Sequence, residues 1–477
     1  MEPNIFIEVP TYDIDHWTVT TFYSREEFRD FLLSLFKEPG EYNFDESSQI
    51  FNIEARKFHK QGYYCPAPVK SKDFITYWDD QKVKCRKGII VKSVNGTWYI
   101  SRDYYMWLNF LPIYDKEEKR FDFAKVRDAQ YHMALYEHLA ELHYKHAIIL
   151  KKRQIASSYF HMAKLINQWV FEEGAILKIG ASLKDYINEK GSWKFLNEYR
   201  NFLNEHTAWY RPAEPDKVGA WNQQIKVRVN NRDTYRGLKS TINLYSFEKD
   251  PTHGVGGPVT YFFHEEGGIA PKMNDTYGFM KPALKSGHII TGQFIAAGSV
   301  GDLDQCEPMK EYIYHPEENG FYGVQSNLID KDGAPGVIGL FIPEQWSMPP
   351  YIDQHGNSLV KEALEALDKE FEKMKKDLDP GAYQLTISQH PRTLEEAFAT
   401  RKVSVFPPHL VAKQMQRIQD KEYPVEYLEL SRNDEGKIID KPSRKIPIME
   451  FPLSKKTEDK EGVICIYERP SKDPQFG

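Results

Sequence analysis

Apolar residues along this chain fall into short runs that alternate with helix-like segments. The run from Ala147 to Leu150 predicts a buried strand, and the segment from Tyr159 to Phe171 that follows it predicts a helix. The next apolar run, from Ala175 to Gly180, predicts another strand. A strand, a helix and a strand joined by short links indicate a parallel βαβ unit, so we expect an α/β fold.

Further segments extend this pattern in both directions. Residues 88–101 predict a β-hairpin that turns at Asn95-Gly96. Helices are expected over 126–142 and 358–378, the latter because its apolar residues recur at helical spacing. Two more strands are predicted over 259–264 and 289–297. The fold class expected is therefore α/β, with a mostly parallel central sheet and helices on both faces.

Composition narrows the class of protein. The chain has 477 residues, 41% of them hydrophobic, which is enough for a large core. Lys and Arg total 63 against 69 Asp and Glu, so a general coat of positive charge is excluded and any nucleic-acid contact must be local. No apolar stretch is long enough for a membrane helix, and the four cysteines show no paired spacing. We expect a protein of a reducing compartment that is neither secreted nor in a membrane.

The segment between the first strand and its helix is basic and short. A strand, a tight loop and a helix N-terminus form a cradle for nucleotide phosphates. In the pattern G-x-x-x-x-G-K-[ST] only Ser158 fits, because Lys151 and Ala156 stand at the glycine positions and Ser157 at the lysine position. The alternative is a basic surface turn. The predicted phosphate-binding residues are Lys151, Lys152, Arg153, Gln154, Ile155, Ala156, Ser157 and Ser158.

In this loop the candidate lysines stand at the start, whereas the lysine of the usual phosphate loop stands near its end. Lys151 or Lys152 can approach the phosphates from the start of the loop, since an ammonium is a point charge on a flexible stem. Arg153 can add a two-pronged contact to the γ-phosphate. Ser158 is the expected magnesium hydroxyl.

A pair of carboxylates ends the strand predicted over 259–264. Glu265 is expected to help hold magnesium with Ser158, and Glu266 to act as the base that orients water. Gly267-Gly268 then allows a tight exit from the strand. The alternative is a strand end that merely reaches solvent. Gly298-Ser299, at the tip of the strand after it, is a candidate γ-phosphate sensor, or an ordinary turn.

A net-positive segment runs from Lys226 to Lys239. Arg228, Arg232 or Arg236 could contact DNA phosphates, or act in trans on the ATP of a neighbouring subunit. The alternative is a solvated strand with alternating charge. The pattern does not choose among the three arginines.

These features occur in a characteristic order, which is Gln130, Lys151–Ser158, Glu265–Gly268, Gly298-Ser299 and Leu394–Phe398. This order resembles the large terminase subunit of tailed bacteriophages, whose Walker A loop often contains Arg-Gln with the lysine moved to its start. The family's Walker B strand commonly ends in an acidic pair. By this resemblance Gln130 reads adenine; the alternative is an exposed helix residue. Two departures are Ala156 for the loop glycine and Glu265 for the more usual aspartate.

The resemblance implies a P-loop ATPase of the ASCE type that uses ATP and Mg²⁺ for viral DNA packaging. Implied partners are double-stranded DNA, a portal protein, a small terminase subunit and further copies in a pentameric ring. The implied location is the host cytoplasm and, transiently, the portal vertex of the procapsid. Alternatives are a helicase-like translocase, or an inactive P-loop module that binds DNA or the portal.

The expected domains are an N-terminal α/β elaboration (1–118), the P-loop ATPase core (119–400) and a C-terminal segment (401–477). The family also has an RNase H-like endonuclease domain that cuts concatemeric DNA. We expect this chain to end before that domain begins.

Overall fold

The computed structural model describes residues 6–116, 118–214, 217–230, 232–254, 256–301, 303–399, 425–445, 447 and 462–466. The chain divides into two compact units, Met1–Lys402 and Val403–Gly477. Much of the predicted C-terminal segment, including residues 401–424, lies outside the described residues. The predicted boundary at residue 118 stays a prediction.

The N-terminal part of the first unit holds a four-stranded sheet of order β2-β1-β3-β4 and a separate hairpin, β5-β6. Strands β3 and β4 pair antiparallel across Asn95-Gly96, which confirms the predicted hairpin. The elements in chain order are β1 (Ile7–Asp13), β2 (His16–Phe22), α1 (Arg25–Leu35), α2 (Ile53–Gln61), α3 (Lys72–Lys87), β3 (Ile89–Lys92), β4 (Thr97–Ile100), α4 (Arg102–Phe110), β5 (Pro112–Asp115) and β6 (Arg120–Phe123).

The rest of the first unit is built around a seven-stranded sheet of order β19-β7-β16-β13-β8-β12-β9. Its elements are α5 (Asp128–Leu142), β7 (Ala147–Lys151), α6 (Ser157–Phe171), β8 (Ile176–Ala181), α7 (Ser192–His206), β9 (Ala220–Asn222), β10 (Ile225–Val229), β11 (Arg232–Arg236), β12 (Thr241–Ser246), β13 (Tyr261–Glu265), α8 (Met273–Met280), β14 (Lys285–Ser286), β15 (Ile289–Ile290), β16 (Gln293–Gly298), α9 (Leu303–Tyr314), β17 (Val324–Ser326), β18 (Gly336–Ile338), β19 (Leu340–Ile342), α10 (Val360–Asp377), α11 (Pro380–Gln389) and α12 (Leu394–Ala397).

Neighbouring strands of this sheet pair in parallel except at one edge, where β9 runs antiparallel to β12. Successive side chains of a strand point to opposite faces. Accordingly Ile149 and Phe263 belong to the hydrophobic core that includes α5 and α6, while Ile148 and Phe262 belong to the core that includes α8 and α9. The mostly parallel α/β sheet with helices on both faces is therefore confirmed.

The strand order decides which loops meet. The predicted βαβ unit is parallel, but β16 and β13 lie between its two strands, β7 and β8. Because the strands are parallel, the segments that follow β7, β16 and β13 all leave from the same edge of the sheet. The carboxyl edge of a parallel sheet is where ligands of α/β proteins bind.

The described part of the second unit is a three-stranded antiparallel sheet of order β21-β20-β22, formed by β20 (Glu426–Arg432), β21 (Ile438–Pro442) and β22 (Ile464–Ile466). Across the described residues of both units, every helix is too short or too polar to span a membrane.

Candidate active site

The loop from β7 to α6 places two residues in the left-handed backbone conformation before the helix starts. Gln154 has φ +63° and Ala156 has φ +57°. A glycine takes this conformation freely, whereas an alanine pays about 1 kcal/mol. Ala156, which stands at the position of the second glycine in the phosphate-loop pattern, therefore adopts a backbone conformation that favours glycine. Helix α6 begins at Ser157 without a side-chain cap, so its first-turn N–H groups are available to an anion.

The two loop lysines point to different partners. The Lys151 Nζ lies 3.6 Å from the Glu266 Oε1, at the carboxyl edge of the sheet. The Lys152 Nζ instead donates hydrogen bonds to the carbonyl oxygens of Glu344, at 3.0 Å, and Ser347, at 3.2 Å. Burial lowers the pKa of Lys152 to about 8, although Glu344 partly opposes this. Only Lys151 is thus directed toward the acidic pair.

Glu265 joins the loop to the acidic strand. The Ser158 Oγ donates to its Oε1 at 2.8 Å, and the Ser192 Oγ donates to its Oε2 at 2.5 Å. The side chain is buried, and burial together with the charge of Glu266 raises the pKa of Glu265 despite these two donors. The two residues predicted to hold magnesium, Ser158 and Glu265, are in direct contact.

Glu266 sits at the turn just beyond β13, in a left-handed conformation with φ +49°. Its Oε2 accepts a hydrogen bond of 3.4 Å from the Ser299 N–H, so the acidic turn and the predicted sensor turn touch. The contact needs glycines, because a Cβ on Gly298 would lie 2.4 Å from the Gly268 nitrogen. Glu266 is a non-glycine residue in a strained backbone conformation, and such residues cluster at functional sites.

Gln130, the predicted adenine reader, lies on α5 beside the loop. Its Nε2 donates to the Ile155 carbonyl at 3.1 Å, and its side chain is buried. The alternative reading as an exposed helix residue is therefore wrong. Among the described residues, its buried Oε1 has no hydrogen-bond partner. Its role toward adenine stays a prediction.

The remaining loop residues divide by exposure. Arg153 and Gln154 are exposed, while Ile155 is buried. The Ser157 Oγ is 3.1 Å from the Nδ1 of His161, one helical turn later, so this hydroxyl is directed into α6. The Arg153 side chain is therefore open to solvent, whereas the Ser157 hydroxyl is directed into its own helix.

A buried polar cluster beneath the loop was not predicted. The His161 Nε2 lies 2.8 Å from one oxygen of Glu137, and the Lys164 Nζ lies 3.0 Å from the other. Although burial alone would raise it, the pKa of Glu137 is lowered by Lys164 and His161. Lys164 also donates to Gln293 on β16 at 3.1 Å. This cluster ties α5, α6 and β16 together next to the predicted phosphate loop.

The three candidate arginines lie on the exposed two-stranded ribbon β10-β11. Val229 pairs with Arg232 and Ile225 with Arg236, so both arginines share a face with these apolar residues. Arg228 pairs with Asp233 on the opposite face. The two faces consequently differ in charge, which sequence alone could not show.

The oxygen ligands at this edge suit magnesium. Mg²⁺ prefers oxygen donors and is usually held by one or two protein groups together with substrate phosphates. The Ser158 hydroxyl and the Glu265 carboxylate are such a pair. In the described part of the chain, no cluster of three or more His, Cys, Asp or Glu side chains is arranged to hold a metal by itself.

Two residues that contact the predicted site residues, Ser192 and Glu344, were not predicted from the sequence. Ser192 is separated from Glu265 by more than 70 positions in sequence, and no motif marks it. Glu344 follows β19, where the only signal was its acidic character after an apolar run. Both become visible only when the strand order is known.

No protein-family model and no curated protein matches the chain in sequence, but some solved structures are similar to it. The ATPase domain of the large terminase of Thermus phage P74-26 is 10% identical, over 52% of this chain and 88% of that one, with a TM-score of 0.33. The large terminase of bacteriophage HK97 is 11% identical, over 72% of this chain and 66% of that one, with a TM-score of 0.36. That of a further, thermophilic bacteriophage is 9% identical, over 44% and 52%, with a TM-score of 0.26. The solved structures to which this chain is similar thus include phage large terminases.

Proposed function

We propose that this chain is the ATPase of a phage DNA-packaging motor of the large terminase type. The observation that carries the proposal is the meeting of Lys151, Ser158, Glu265 and Glu266 at one edge of the parallel sheet. These residues come from a phosphate-type loop and an acidic strand tip that are far apart in sequence. The arrangement provides a cation, a hydroxyl, a buried carboxylate and a second carboxylate for hydrolysis of a nucleotide phosphate.

Each group has a distinct role in the proposed mechanism. The amides of the first turn of α6 and the Lys151 ammonium bind the phosphates. Ser158 and Glu265 hold magnesium, which when bound would neutralise charge on the phosphate oxygens. Glu266 orients the attacking water and accepts its proton, and Arg153 stabilises charge on the γ-phosphate. The Gln130 amide, anchored to the loop at Ile155, reads the base.

The ion pair between Lys151 and Glu266 gives this site a simple switch. A phosphate at the loop competes with Glu266 for the same ammonium, because both are anions within its reach. When Lys151 turns to the phosphate, the Glu266 carboxylate is released to hold water. The Ser299 N–H, which donates to Glu266, then links the turn at Gly298-Ser299 to the reacting centre.

The partners follow from the same proposal. The motor would translocate double-stranded DNA into a procapsid as a pentameric ring on the portal protein, with a small terminase subunit selecting the DNA. It would act in the host cytoplasm and at the portal vertex. In this proposal, the full-length protein would also cut concatemeric DNA through an endonuclease domain.

The ribbon β10-β11 is the proposed contact with the DNA backbone. The face of Arg232 and Arg236 carries two guanidinium groups, whereas on the other face Lys226 is paired with Asp233 at 2.8 Å. A packaging motor must accept any sequence, so contacts to phosphates suit it better than contacts to bases. A role in trans on a neighbour's ATP is the alternative use of these arginines.

Replacing Arg232 and Arg236 together by glutamine is expected to weaken DNA binding in a salt-dependent way. Each lost phosphate contact lowers the slope of log affinity against log salt by about 0.9, so the double variant should lose roughly 2. Fluorescence anisotropy with a DNA duplex at several salt concentrations measures the slope. Arg228→Gln, on the opposite face, is the matched control and should lower it by less than half as much. An unchanged slope in the double variant would remove the ribbon from the DNA interface.

ATP turnover with and without double-stranded DNA tests the proposal against its alternatives. A packaging motor and a helicase-like translocase both hydrolyse ATP, whereas an inactive binding module does not. Binding to a purified portal protein then separates the packaging motor from the helicase. Turnover without portal binding would favour the helicase-like translocase.

A further inference from the structure

Ser192 forms a short hydrogen bond with Glu265, although no phosphate-loop motif includes a residue at this place. Its Oγ donates to the Glu265 Oε2 at 2.5 Å, and both side chains are buried. Ser158 donates to the other oxygen of the same carboxylate, at 2.8 Å. The two serines thus hold the Glu265 carboxylate between them, from two different helices.

The start of α7 fixes Ser192 in this place. Ser192 is the first residue of the helix, and Gly191 before it packs so tightly that a Cβ there would lie 2.0 Å from the Tyr186 carbonyl oxygen. The Trp193 N–H donates to the Ile187 carbonyl at 3.3 Å. The buried Trp193 ring packs on Trp221, with 4.9 Å between ring centroids. Little freedom is therefore left for the hydroxyl to move away from Glu265.

The two serines differ in what they can do when a nucleotide binds. Ser158 lies in the first turn of α6, at the predicted phosphate loop, where its hydroxyl oxygen can turn to a metal ion. Ser192 lies on α7, outside that loop, and its hydroxyl donates to Glu265. When Ser158 releases the Oε1, Ser192 still holds the Oε2. One oxygen of Glu265 then becomes available while the carboxylate keeps its orientation.

We propose that Ser192 is a positioning residue that orients Glu265 for magnesium, an inference that rests on the proposed ATPase function. The N-terminus of the fifteen-residue helix α7 adds its dipole, which favours a carboxylate at this end. Outer partners of metal ligands act in this way in other sites, and their loss weakens metal affinity. Ser192 touches neither nucleotide nor water in this account.

Ser192→Ala tests the inference through the magnesium dependence of ATP hydrolysis. The magnesium concentration for half-maximal turnover is expected to rise roughly tenfold, because the carboxylate loses one of its two orienting donors. The maximal rate at saturating magnesium should stay near the wild-type value. Magnesium-dependent binding of a fluorescent, non-hydrolysable ATP analogue, which needs no turnover, should shift to higher magnesium concentration by a similar factor.

The controls separate positioning from folding. Ser192→Thr keeps the hydroxyl and should retain the wild-type magnesium dependence, while Ser192→Cys, a weaker donor of similar size, should fall between. Ser240→Ala removes another buried hydroxyl, next to the first residue of β12 and so at the opposite edge of the sheet, and should leave the magnesium dependence unchanged. If the Ala variant does not fold, the Cys variant decides the question.

Two outcomes overturn the inference in distinguishable ways. An active wild type beside a Ser192→Ala variant with the same magnesium dependence of turnover and of analogue binding would refute the role of Ser192 alone. A wild type that binds no ATP would refute the proposed function, and the role of Ser192 with it.

Discussion

Glu266→Gln is expected to lower the rate of ATP hydrolysis by about 10²–10⁴-fold, the usual contribution of a positioned general base. The amide keeps the size of the side chain but cannot accept a proton from water. Nucleotide affinity should be kept or slightly raised, because Lys151 no longer has a carboxylate at 3.6 Å to hold it away from the phosphates. Single-turnover hydrolysis and binding of a fluorescent ATP analogue measure the two effects separately.

The matched control for this variant is Glu173→Gln. Glu173 is an exposed carboxylate in the turn between α6 and β8. Its replacement by glutamine removes the same charge at a place away from the acidic pair. Its turnover should equal that of the wild type. Wild-type turnover in Glu266→Gln would remove Glu266 from the reaction and leave Glu265 as the only acidic candidate.

Replacing the two loop lysines one at a time by methionine is expected to separate binding from stability. Lys151→Met removes the ammonium that we propose binds the phosphates, so nucleotide affinity should fall by roughly 30- to 150-fold, the equivalent of about 2–3 kcal/mol for a charged hydrogen bond. Unfolding should change little, because the ion pair of the Lys151 ammonium with Glu266 is long, at 3.6 Å. Binding of a fluorescent ATP analogue in magnesium buffer measures this affinity.

Lys152→Met is expected to give the reverse result. It leaves the carbonyls of Glu344 and Ser347 without their charged donor, and each lost bond costs about 1.5–3 kcal/mol of unfolding free energy. Denaturant unfolding measures this loss, and nucleotide affinity at low temperature should stay close to wild type. Loss of affinity in Lys152→Met with unchanged stability would contradict the assignment of the two lysines.

The sequence predicts β7, α6, β8 and β13 because each is an apolar run with a clear period, but no prediction covers α7 or β19. Strand β7 spans Ala147–Lys151, one residue beyond the predicted run, and α6 begins two residues before the predicted start. The phosphate-binding role of the loop is predicted from its charge and its place between a strand and a helix rather than from the glycine pattern, and it stays a prediction. In the structure, Gln154 and Ala156 have positive φ values, a conformation that glycine adopts most readily.

What the sequence could not predict depends on the order of the strands. Lys151 and Lys152 are adjacent in sequence, and only the position of β19 beside β7 gives Lys152 its carbonyl partners. Ser192 reaches Glu265 because β8, which leads into α7, lies next to β13. From the sequence, Gln130 could be an adenine reader or an exposed helix residue. The packing of α5 against the loop, which buries Gln130, decides against the exposed position. Side-chain contacts between distant segments carry no local signal of their own.

In the proposed site, Ser158 and Glu265 hold magnesium for a nucleotide bound at the predicted phosphate loop. The most direct test of this arrangement is ATP binding and hydrolysis by the full chain as magnesium is titrated, with Ser158→Ala measured in parallel. We expect saturable, magnesium-dependent turnover in the wild type and its near-complete loss in Ser158→Ala. A wild type that neither binds nor hydrolyses ATP at any magnesium concentration would contradict the assignment of the loop, and with it the proposed motor.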